Sequence, residues 1–518
     1  MHSSVQTQRG RSTMRFTLPA SMAVLAIGLF ARAFTGPIAA QAPPGPVVFD
    51  SNLGVRTVVS GLESPVAMAF LGANDFLITE KASGRVKRVV NGAVAATVLD
   101  LAVNNNSERG LLGIALHPDF AATHWVYLFW TCLTPPAATP NTPQHDCAAV
   151  PQTGADSGDA LATALLGNRV DRFVWNGTAN TLTFDRNIVA LHAFQFDQTN
   201  GRARGNHNGG VIRFGPDGKL YIIFGDNGRR GQLQNLVNGP FGPGIPDDQF
   251  GGPAPDDEHM TGVILRLNED GSTPSDNPFL GVTQAATPAA VANIHKLYAY
   301  GVRNSFGMAF DPESGNLWDS QNGDDTFDEL NRVEPGANLG WVQVMGPIAR
   351  VAQFKQIETT LGARDLQQVR WPPTNIADTP EEARARLFML PNAHYEDPEF
   401  SWKFALAPAA IGFMSGRGIG PQYSGDLFVG ASVPAPDAGF LFHFNLTGNR
   451  RKIGVDDPRL EDRVADNLAK FETTESESLR FGSGFGISTD IQTSPSGTLY
   501  VVSLSGGNVY EIFRQRQR

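Results

Sequence analysis

The sequence predicts an all-β fold, a six-bladed β-propeller with inserted loops and a short helical insertion. One pattern returns six times: an apolar strand, a turn with Pro, Asp, Asn or Gly, and a second strand rich in aromatic and β-branched residues. Each copy is followed by further short strands and is too small to bury a hydrophobic core alone, so we expect the copies to pack around one axis. The copies lie at residues 67–81, 113–130, 211–226, 307–322, 424–430 and 491–504.

The first forty residues are expected to be a secretory signal peptide. They carry four arginines and no acidic residue, and an apolar stretch at 18–30 precedes small residues at 39–40. A membrane anchor is the alternative, but Arg32 interrupts the apolar run, and about twenty apolar residues are needed to span a bilayer. The predicted organisation of this periplasmic or secreted protein is a signal peptide at 1–40, an N-terminal extension at 41–61 and the propeller at 62–518.

The charge of the chain argues against nucleic acid as a partner. The full sequence has 41 basic and 51 acidic residues, which gives a net charge of −10. Removing the four arginines of residues 1–40 leaves 37 basic against 51 acidic residues, or −14 for the mature chain. A surface of this sign repels nucleic acid and anionic lipid, so we expect neither as a partner and no membrane insertion after signal removal.

Two cysteines, Cys132 and Cys147, bracket a proline-rich stretch. In an exported protein, a local disulfide that pins this loop is the expected state. A metal site built from both cysteines and His145 is a weaker alternative, because a CxxC-type spacing is absent.

Three insertions interrupt the repeated pattern. Residues 133–158 and 238–257 are rich in Pro, Gly, Ala, Thr or Asp and are expected to be irregular surface loops. Residues 357–390 instead contain Thr379 followed by Pro380, which predicts a capped helix start with proline in the first turn. Such insertions tend to shape the mouth of a site, although a decorated surface loop is an equally good interpretation.

The third copy brings a histidine and a carboxylate together. His207 and Asp226 are equidistant from the turn between Pro216 and Asp217, and residues equidistant from a hairpin turn face each other. A carboxylate beside a histidine fixes the tautomer of the imidazole, as a general base requires. The spacing therefore predicts a catalytic base, His207, with Asp226 orienting it, although a purely structural pair is the alternative.

The fourth copy repeats this arrangement. Arg303 lies opposite Asp324 by the same argument, and Asn304 opposite Gly323. Because equivalent ends of all blades converge on one face of a propeller, these residues are expected to meet the histidine there. Arg303 is a fixed cation that could polarise a carbonyl or hold an anion, or it could simply pair with Asp324. The loop at 322–329 offers carboxylates and exposed carbonyl oxygens, which suit Ca²⁺ better than zinc.

Other catalytic signatures are missing from the sequence. A G-x-S-x-G elbow, a helical H-E-x-x-H and a G-x-G-x-x-G between strand and helix are all absent, so three common enzyme classes lose support. Glu108 holds the same relative place in the second copy as His207 in the third, and we expect it to face the site. A salt bridge with Arg109 is the alternative.

These motifs resemble the glucose/sorbosone dehydrogenase family, whose best-known members are soluble aldose dehydrogenases that use pyrroloquinoline quinone (PQQ). The resemblance runs from about Leu62 to Phe513. Besides the hairpin at 207–226, it rests on E-R-G-L-L-G-I-A-L-H-P-D-F at 108–120, Y-G-V-R-N-S-F-G at 300–307, D-E-L-N at 328–331 and G-A-N-L-G-W at 336–341.

The resemblance implies a quinone on the top face of the propeller. His207 would take the hydroxyl proton of a sugar, supported by Asp226, while Arg303 and Asn304 resemble the pair that contacts the quinone carbonyls. Trp402 is similar to an aromatic residue near the cofactor, with core packing as its alternative role. The main-chain oxygens of Gly323 and Asp324 would bind the Ca²⁺ that accompanies the cofactor.

The sequence departs from the family pattern at the positions that bind the acidic cofactor. Residues 431–439 contain no lysine, and Ile487-Ser488-Thr489-Asp490 stands where PQQ-using members carry an arginine pair. Glu108 replaces a polar amide, and Asn206 an aspartate. Unpaired carboxylates of PQQ in a partly buried site cost several kcal/mol, so other cations would be required. Nearby loops offer Arg202, Arg204, Arg229 and Arg230.

Three functions are consistent with these residues. The first is an exported quinoprotein dehydrogenase that oxidises the anomeric hydroxyl of an aldose to a lactone, with hydride transfer to PQQ and electrons passed to an unspecified acceptor. The second is a secreted propeller that binds carbohydrate or protein and has lost PQQ. The third, a Ca²⁺-dependent lactone hydrolase, requires several side-chain carboxylates around one metal, for which only Glu108 and the loop at Asp324 are candidates.

Overall fold

The computed structural model has an all-β propeller fold. It describes residues 45–133, 166–193, 195–196, 203–228, 260–283, 288–360, 376–432 and 439–516. These residues belong to one compact unit, Pro44–Arg518. The predicted signal peptide at 1–40 lies outside them. Within the described part of the chain, no helix is long and apolar enough to cross a membrane.

Six sheets of four or more strands make up the described fold. Sheet 1 contains Pro65–Gly72, Asp75–Glu80, Arg85–Val90 and Ala93–Asp100. Sheet 2 contains Leu111–Leu116, Trp125–Thr131, Asn168–Asn176 and Thr181–Leu191. Sheet 3 contains Ile212–Phe214, Leu220–Phe224, Val263–Leu267 and Leu297–Tyr300, extended in parallel by Ala337–Asn338 and His394–Tyr395.

The remaining three sheets contain strands that are distant in sequence. Sheet 4 contains Ser305–Phe310, Leu317–Gln321, Thr326–Val333, Phe400–Phe404 and Val464–Ala465. Sheet 5 contains Pro408–Phe413, Leu427–Ala431, Phe440–Phe444, Arg480–Ser483 and Val47–Val48. Sheet 6 contains Ser488–Thr493, Leu499–Ser503, Asn508–Arg514 and Leu53–Val59.

Short elements decorate the sheets. Two further strand pairs are Gln195–Phe196 with Ala203–Arg204, and Leu446–Thr447 with Lys452–Ile453. The α-helices are Phe120–Thr123, Pro288–Ile294, Val351–Thr360 and Pro380–Arg386. Single 3₁₀ turns lie at Ile348–Arg350, Pro421–Tyr423, Pro458–Leu460 and Glu477–Leu479.

Five of the predicted copies form the first two strands of sheets 1, 2, 3, 4 and 6, whereas the fifth copy, at 424–430, covers only the turn and second strand of sheet 5, whose first strand is Pro408–Phe413. The first strand of each sheet contacts the first strands of its neighbours in chain order, and the first strand of sheet 6 contacts that of sheet 1. These contacts close a ring, as a propeller requires. The blade count of six stays a prediction, which this ring of contacts favours.

The propeller begins earlier in the chain than predicted. Leu53–Val59 pairs with Asn508–Arg514 as the outer strand of sheet 6, and Val47–Val48 pairs with Arg480–Ser483 in sheet 5. Interpreting residues 41–61 as an extension outside the propeller was therefore wrong. Alternating buried and exposed residues in a single strand do not reveal that its partner lies at the opposite end of the chain.

Hydrophobic side chains fill the spaces between neighbouring sheets. Trp402 lies in one such cluster between sheets 4 and 5, fully buried, with its ring centroid 4.9 Å from that of Phe400 and 5.3 Å from that of Phe442. The structure therefore places Trp402 in the core, as the alternative interpretation held. The prediction that Trp402 contacts a cofactor finds no support in this position.

The helical insertion begins as predicted. Thr379 is the N-cap of the helix Pro380–Arg386, and its hydroxyl accepts a hydrogen bond from the Glu382 amide at 3.2 Å. The Glu382 carboxylate in turn accepts from the amide of Asp378, the residue before the N-cap, at 2.8 Å, an arrangement close to a capping box.

Most of the predictions about loops concern residues that the structure does not describe. Cys132 is buried and disulfide-bonded, which excludes the alternative of a metal site using its thiolate. Cys147 and His145, and nearly all of the insertions at 133–158 and 238–257, lie outside the described residues.

Two buried acids in sheet 4 make stability depend on pH. Burial raises the pKa of Asp319 to about 7 and that of Glu329 to about 8. The folded protein therefore retains protons that these acids release from the unfolded chain near pH 4, and stability is lost as pH rises from about 4 to 8.

We expect Asp319→Asn to reduce this loss. Thermal unfolding midpoints measured at pH 5, 6, 7 and 8 should fall less steeply for the variant than for the wild type, with the largest difference at pH 8. The exposed Glu313→Gln serves as the control and should reproduce the wild-type slope. Parallel curves for Asp319→Asn and wild type would contradict the assignment.

Candidate functional site

His207 and Asp226 are in direct contact at the start of sheet 3. His207 Nδ1 lies 2.6 Å from Asp226 Oδ1. Within the ladder, Ile212 pairs with Ile222. Before it, the Gly210 amide donates to the Ile223 carbonyl, so the pairing shifts by one residue and the side chains of His207 and Asp226 lie opposite each other. The predicted cross-strand contact is confirmed.

The carboxylate of Asp226 is held from three sides. It is fully buried; Oδ1 also accepts from the Gly228 amide at 2.8 Å, and Oδ2 accepts from Trp341 Nε1 at 2.8 Å. Such a fixed acceptor places the imidazole proton of His207 on Nδ1 and leaves the lone pair on Nε2. The contact between the Trp341 indole and Asp226 was not predicted, because the two residues lie 115 positions apart in the sequence.

The backbone around His207 is unusually compact. His207 adopts a left-handed conformation with φ of 57°, which is uncommon for a residue other than glycine and is typical of functional sites. A Cβ atom at Gly225 would lie 2.4 Å from the His207 carbonyl oxygen and 2.7 Å from that of Arg303. Glycine at 225 therefore lets the ends of sheets 3 and 4 approach each other.

Glu108 joins three sheets at this point. Its Oε2 accepts from the His207 amide at 2.6 Å and from Asn304 Nδ2 at 3.1 Å. Arg109 donates elsewhere, to the Gly205 carbonyl and to Asn104, so the alternative of a Glu108–Arg109 salt bridge finds no support. Glu108 faces the site, as predicted.

Arg303 is buried and fixed by several contacts. Its guanidinium forms an ion pair with Asp324 and donates to the Asn322 carbonyl at 2.7 Å, and it lies 5.3 Å from the centre of the Trp341 ring. Burial alone would lower the pKa of Arg303, but the carboxylates of Asp324 and Asp226 raise it above its ordinary value. The guanidinium is therefore a permanent cation.

The predicted register at Asn304 was wrong by one residue. Ser305 pairs with Gln321, and a bulge at Phe306 separates this pair from the rest of the ladder. Asn304 consequently lies opposite Asn322, whose amide donates to its carbonyl, and not opposite Gly323. A bulge of this kind leaves no reliable mark in a single sequence.

One of the two main-chain oxygens predicted to bind Ca²⁺, that of Asp324, is already in use. The Asp324 main-chain oxygen accepts from Lys470 Nζ at 3.1 Å, while the Asp324 carboxylate pairs with Arg303. The Gly323 amide donates to Asp328 Oδ1 at 2.7 Å. A Ca²⁺ ion at this place requires six to eight oxygen ligands, and a neighbouring ammonium would repel it. The residues present do not fit the expected metal.

A cavity of about 420 Å³ lies on the ring axis beside this constellation. Its wall includes residues of, or next to, the first strand of all six sheets and is mostly apolar. Glu108 and Asn322 connect the cavity to His207 and Arg303 through the hydrogen bonds given above. The lining residues are Ser64, Val66, Ala67, Lys81, Ser107, Glu108, Leu112, Gly209, Val211, Arg213, Phe306, Asn322, Ala407, Ala409, Ser432, Ile487, Thr489 and Leu504.

An ion pair across the ring closes the floor of this cavity. Arg213 of sheet 3 donates to Asp490 of sheet 6 at 2.8 Å, and Asp490 also accepts from the Met68 amide at 2.9 Å and from Gln492 at 2.8 Å. Arg213 also lines a second cavity of about 310 Å³ further along the first strands. The pair therefore divides the axial space in two.

Asp490→Ala should destabilise the protein by about 3–5 kcal/mol, because it leaves the Arg213 guanidinium in place without its carboxylate partner. Thermal and urea unfolding measure the loss. Asp100→Ala breaks the exposed pair between Asp100 and Arg85 and should cost less than about 1 kcal/mol. Equal losses in the two variants would show that the axial pair is no more important than a surface contact.

Two buried polar atoms of Arg303 and Asn304 are left without a partner in the described part of the chain. Arg303 Nε and Asn304 Oδ1 are buried and have no hydrogen-bond partner among the described residues. In the cavity wall, the Lys81 ammonium donates to the carbonyls of Asn105 and Ser107, both at 2.9 Å, so one of its three N–H groups is left for a ligand. Burial lowers the pKa of Lys81, although the Glu108 carboxylate opposes the shift.

These features fit a flat acidic ligand such as PQQ. The apolar wall suits an aromatic ring system, and Lys81 and Arg213 are the cations that line the cavity, with Arg303 linked to it through Asn322. The loop arginines at 202, 229 and 230, and the side chain at 204, lie outside the described residues.

The family model for glucose/sorbosone dehydrogenases matches residues 62–348, more than half of the chain. The chain belongs to the glucose/sorbosone dehydrogenase family. This glucose/sorbosone dehydrogenase family member is 29% identical to quinoprotein glucose dehydrogenase B of Acinetobacter calcoaceticus over 301 residues, which cover 57% of the chain but only 53% of that relative.

Two further similarities span most of this family member. It is 24% identical to the aldose sugar dehydrogenase YliI of Escherichia coli (strain K12) over 455 residues, which cover 88% of the chain and 90% of the relative. The solved apo-form structure of the soluble aldose sugar dehydrogenase from Escherichia coli matches at a TM-score of 0.55 with 22% identity, covering 89% of the chain and all of the solved one. At this identity the structural match concerns the fold alone.

Proposed function

We propose that the protein is an exported quinoprotein dehydrogenase that oxidises the anomeric hydroxyl of an aldose to a lactone. Family membership supports an oxidoreductase that acts on sugars. The observation that carries the finer proposal is the contact between His207 Nδ1 and Asp226 Oδ1, because it prepares Nε2 to accept a proton. We also infer that the six sheets are the six blades, and that residues 1–40 direct export and are then removed.

His207 acts as the general base of the proposed reaction. Its Nε2 takes the proton of the anomeric hydroxyl, and the imidazolium that results is stabilised by Asp226. Asp226 is held in turn by Trp341 and Gly228, so the ring cannot rotate away. When bound, PQQ supplies the oxidant that takes up the hydride from the same carbon.

Arg303, Asn304 and Lys81 would hold the cofactor. Arg303 and Asn304 offer the buried atoms that lack partners, next to the developing negative charge. Lys81 gives one N–H to a carboxylate, which compensates in part for the missing lysine and arginine pair. Glu108 positions Asn304 and the His207 backbone without itself carrying the chemistry.

The second candidate is a secreted propeller that binds carbohydrate or protein without quinone chemistry. The observation that favours it is Asp490, which stands in place of an expected arginine and pairs with Arg213. The lactone hydrolase finds no such support, because Glu108 and the Asp324 carboxylate are both engaged in hydrogen bonds or ion pairs.

The two candidates are separated by one experiment. Purified mature protein is mixed with PQQ, quinone absorbance is followed, and dye reduction is measured over a panel of aldoses. The proposal expects saturable quinone binding and sugar-dependent reduction. Absence of both would reject it in favour of the binding propeller, for which sugar binding without turnover is expected.

A further inference from the structure

Lys470 holds the position at which family resemblance predicts a calcium ion. Its ammonium donates to the Asp324 main-chain oxygen at 3.1 Å and forms an ion pair with the Asp325 carboxylate. Asp325 is buried, with 9% of its side chain exposed, whereas 34% of the Lys470 side chain is exposed. A main-chain oxygen beside a carboxylate is a typical calcium-binding pair, and here both contact the same ammonium.

The segment that carries Lys470 is fixed against sheet 4. The buried Asn467 side chain accepts from the Phe404 amide at 2.8 Å and donates to the carbonyls of Phe404 at 3.0 Å and Glu472 at 3.0 Å. The Phe471 amide donates to the Ala405 carbonyl at 2.9 Å. Lys470 is therefore presented by an ordered turn, so little further backbone entropy is lost when its side chain makes its contacts.

The local charge requires a cation at this place. Four carboxylates favour the charged form of the Arg303 guanidinium, those of Asp324, Asp226, Glu358 and Glu108. The Asp325 amide donates to Glu358 Oε1 at 3.1 Å. Lys470 adds a second positive charge to this group, in contact with the Asp324 main-chain oxygen and the Asp325 carboxylate.

We propose that Lys470 replaces the calcium ion of this site, so that the protein binds its acidic ligand without a divalent cation. An ammonium has three N–H groups, and Asp324 and Asp325 use two of them. The third N–H is used by neither residue and is available to an oxygen of the ligand. The proposal rests on the proposed function only in taking PQQ as the probe ligand.

The first measurement is quinone binding by absorbance titration, in EGTA and in excess Ca²⁺. Wild-type Kd for PQQ should be the same in both. Lys470→Met keeps the apolar stem and removes the charge, and its Kd in EGTA should rise about tenfold or more. Lys452→Met, on an exposed hairpin, is the matched control and should bind as the wild type does. A wild-type Kd that rises tenfold in EGTA, or a Lys470→Met variant that binds normally there, would overturn the proposal.

The second measurement does not depend on quinone binding. Thermal unfolding midpoints are recorded with EGTA and with Ca²⁺ alone. Ca²⁺ should leave the wild type and Lys452→Met unchanged and should raise the midpoint of Lys470→Met, whose oxygens have lost their ammonium. An equal rise in the wild type, or no rise in Lys470→Met, would overturn the proposal. A wild type that binds no PQQ under either condition rejects the proposed function, and this second measurement still decides the role of Lys470.

Discussion

His207→Ala should lower kcat for aldose oxidation by about 10²- to 10⁴-fold while quinone binding stays close to normal. The imidazole is the group whose Nε2 faces away from Asp226 and can accept the hydroxyl proton. Removing it leaves the cations that hold the ligand in place, so the loss should fall on kcat and not on the Kd for PQQ. Steady-state dye reduction and absorbance titration measure the two quantities separately.

A second histidine–aspartate pair provides the matched control. His443 Nε2 lies 2.7 Å from Asp426 Oδ2 in sheet 5, where the ring packs against Tyr423 and Phe428. His443→Ala should lose packing but retain kcat in the protein that remains folded. If both alanine variants lost activity to the same extent, or if His207→Ala remained active, His207 would not be the base.

Asp226→Asn should lower kcat by a similar factor, about 10²- to 10⁴-fold, through a different cause. An amide in place of the carboxylate can donate to Nδ1, which moves the imidazole proton to Nε2 and removes the lone pair that the reaction requires. It also weakens the contacts with Trp341 and the Gly228 amide, which need acceptors.

The double variant tests whether Asp226 acts through His207. If it does, Asp226→Asn should have almost no further effect on kcat once His207 is alanine, because residues that act as one unit are not additive. Two independent losses that multiply in the double variant would indicate a role for Asp226 apart from the histidine. Trp341 fluorescence reports in parallel whether the buried hydrogen bond is lost.

Local spacing predicted the parts of the site that lie within one hairpin. His207 and Asp226 meet because both follow the geometry of a single turn, and the ion pair of Arg303 with Asp324 was predicted for the same reason. The argument failed for Asn304 by one residue, since a bulge shifts the ladder without an obvious sequence signal.

Contacts between distant segments were beyond the reach of the sequence. Trp341, Lys470 and Asp490 reach their partners only after the whole chain has folded, and each comes from a segment far from the partner it binds. Trp402 shows the converse, since an aromatic residue placed near a cofactor by resemblance lies in the core between two sheets. Motif matching assigns residue types to a site, whereas packing decides which of them arrive there.

The pairing of Leu53–Val59 with Asn508–Arg514 makes the completion of sheet 6 depend on two strands that are far apart in the chain. Joining segments some 450 residues apart carries the loop-closure entropy of nearly the whole molecule, so this pairing should be among the late events of folding. Until the two segments meet, Leu53–Val59 has no partner strand in sheet 6. A chain that loses the strand at 508–514 would therefore leave the strands at 53–59 and 499–503 with open edges prone to aggregation.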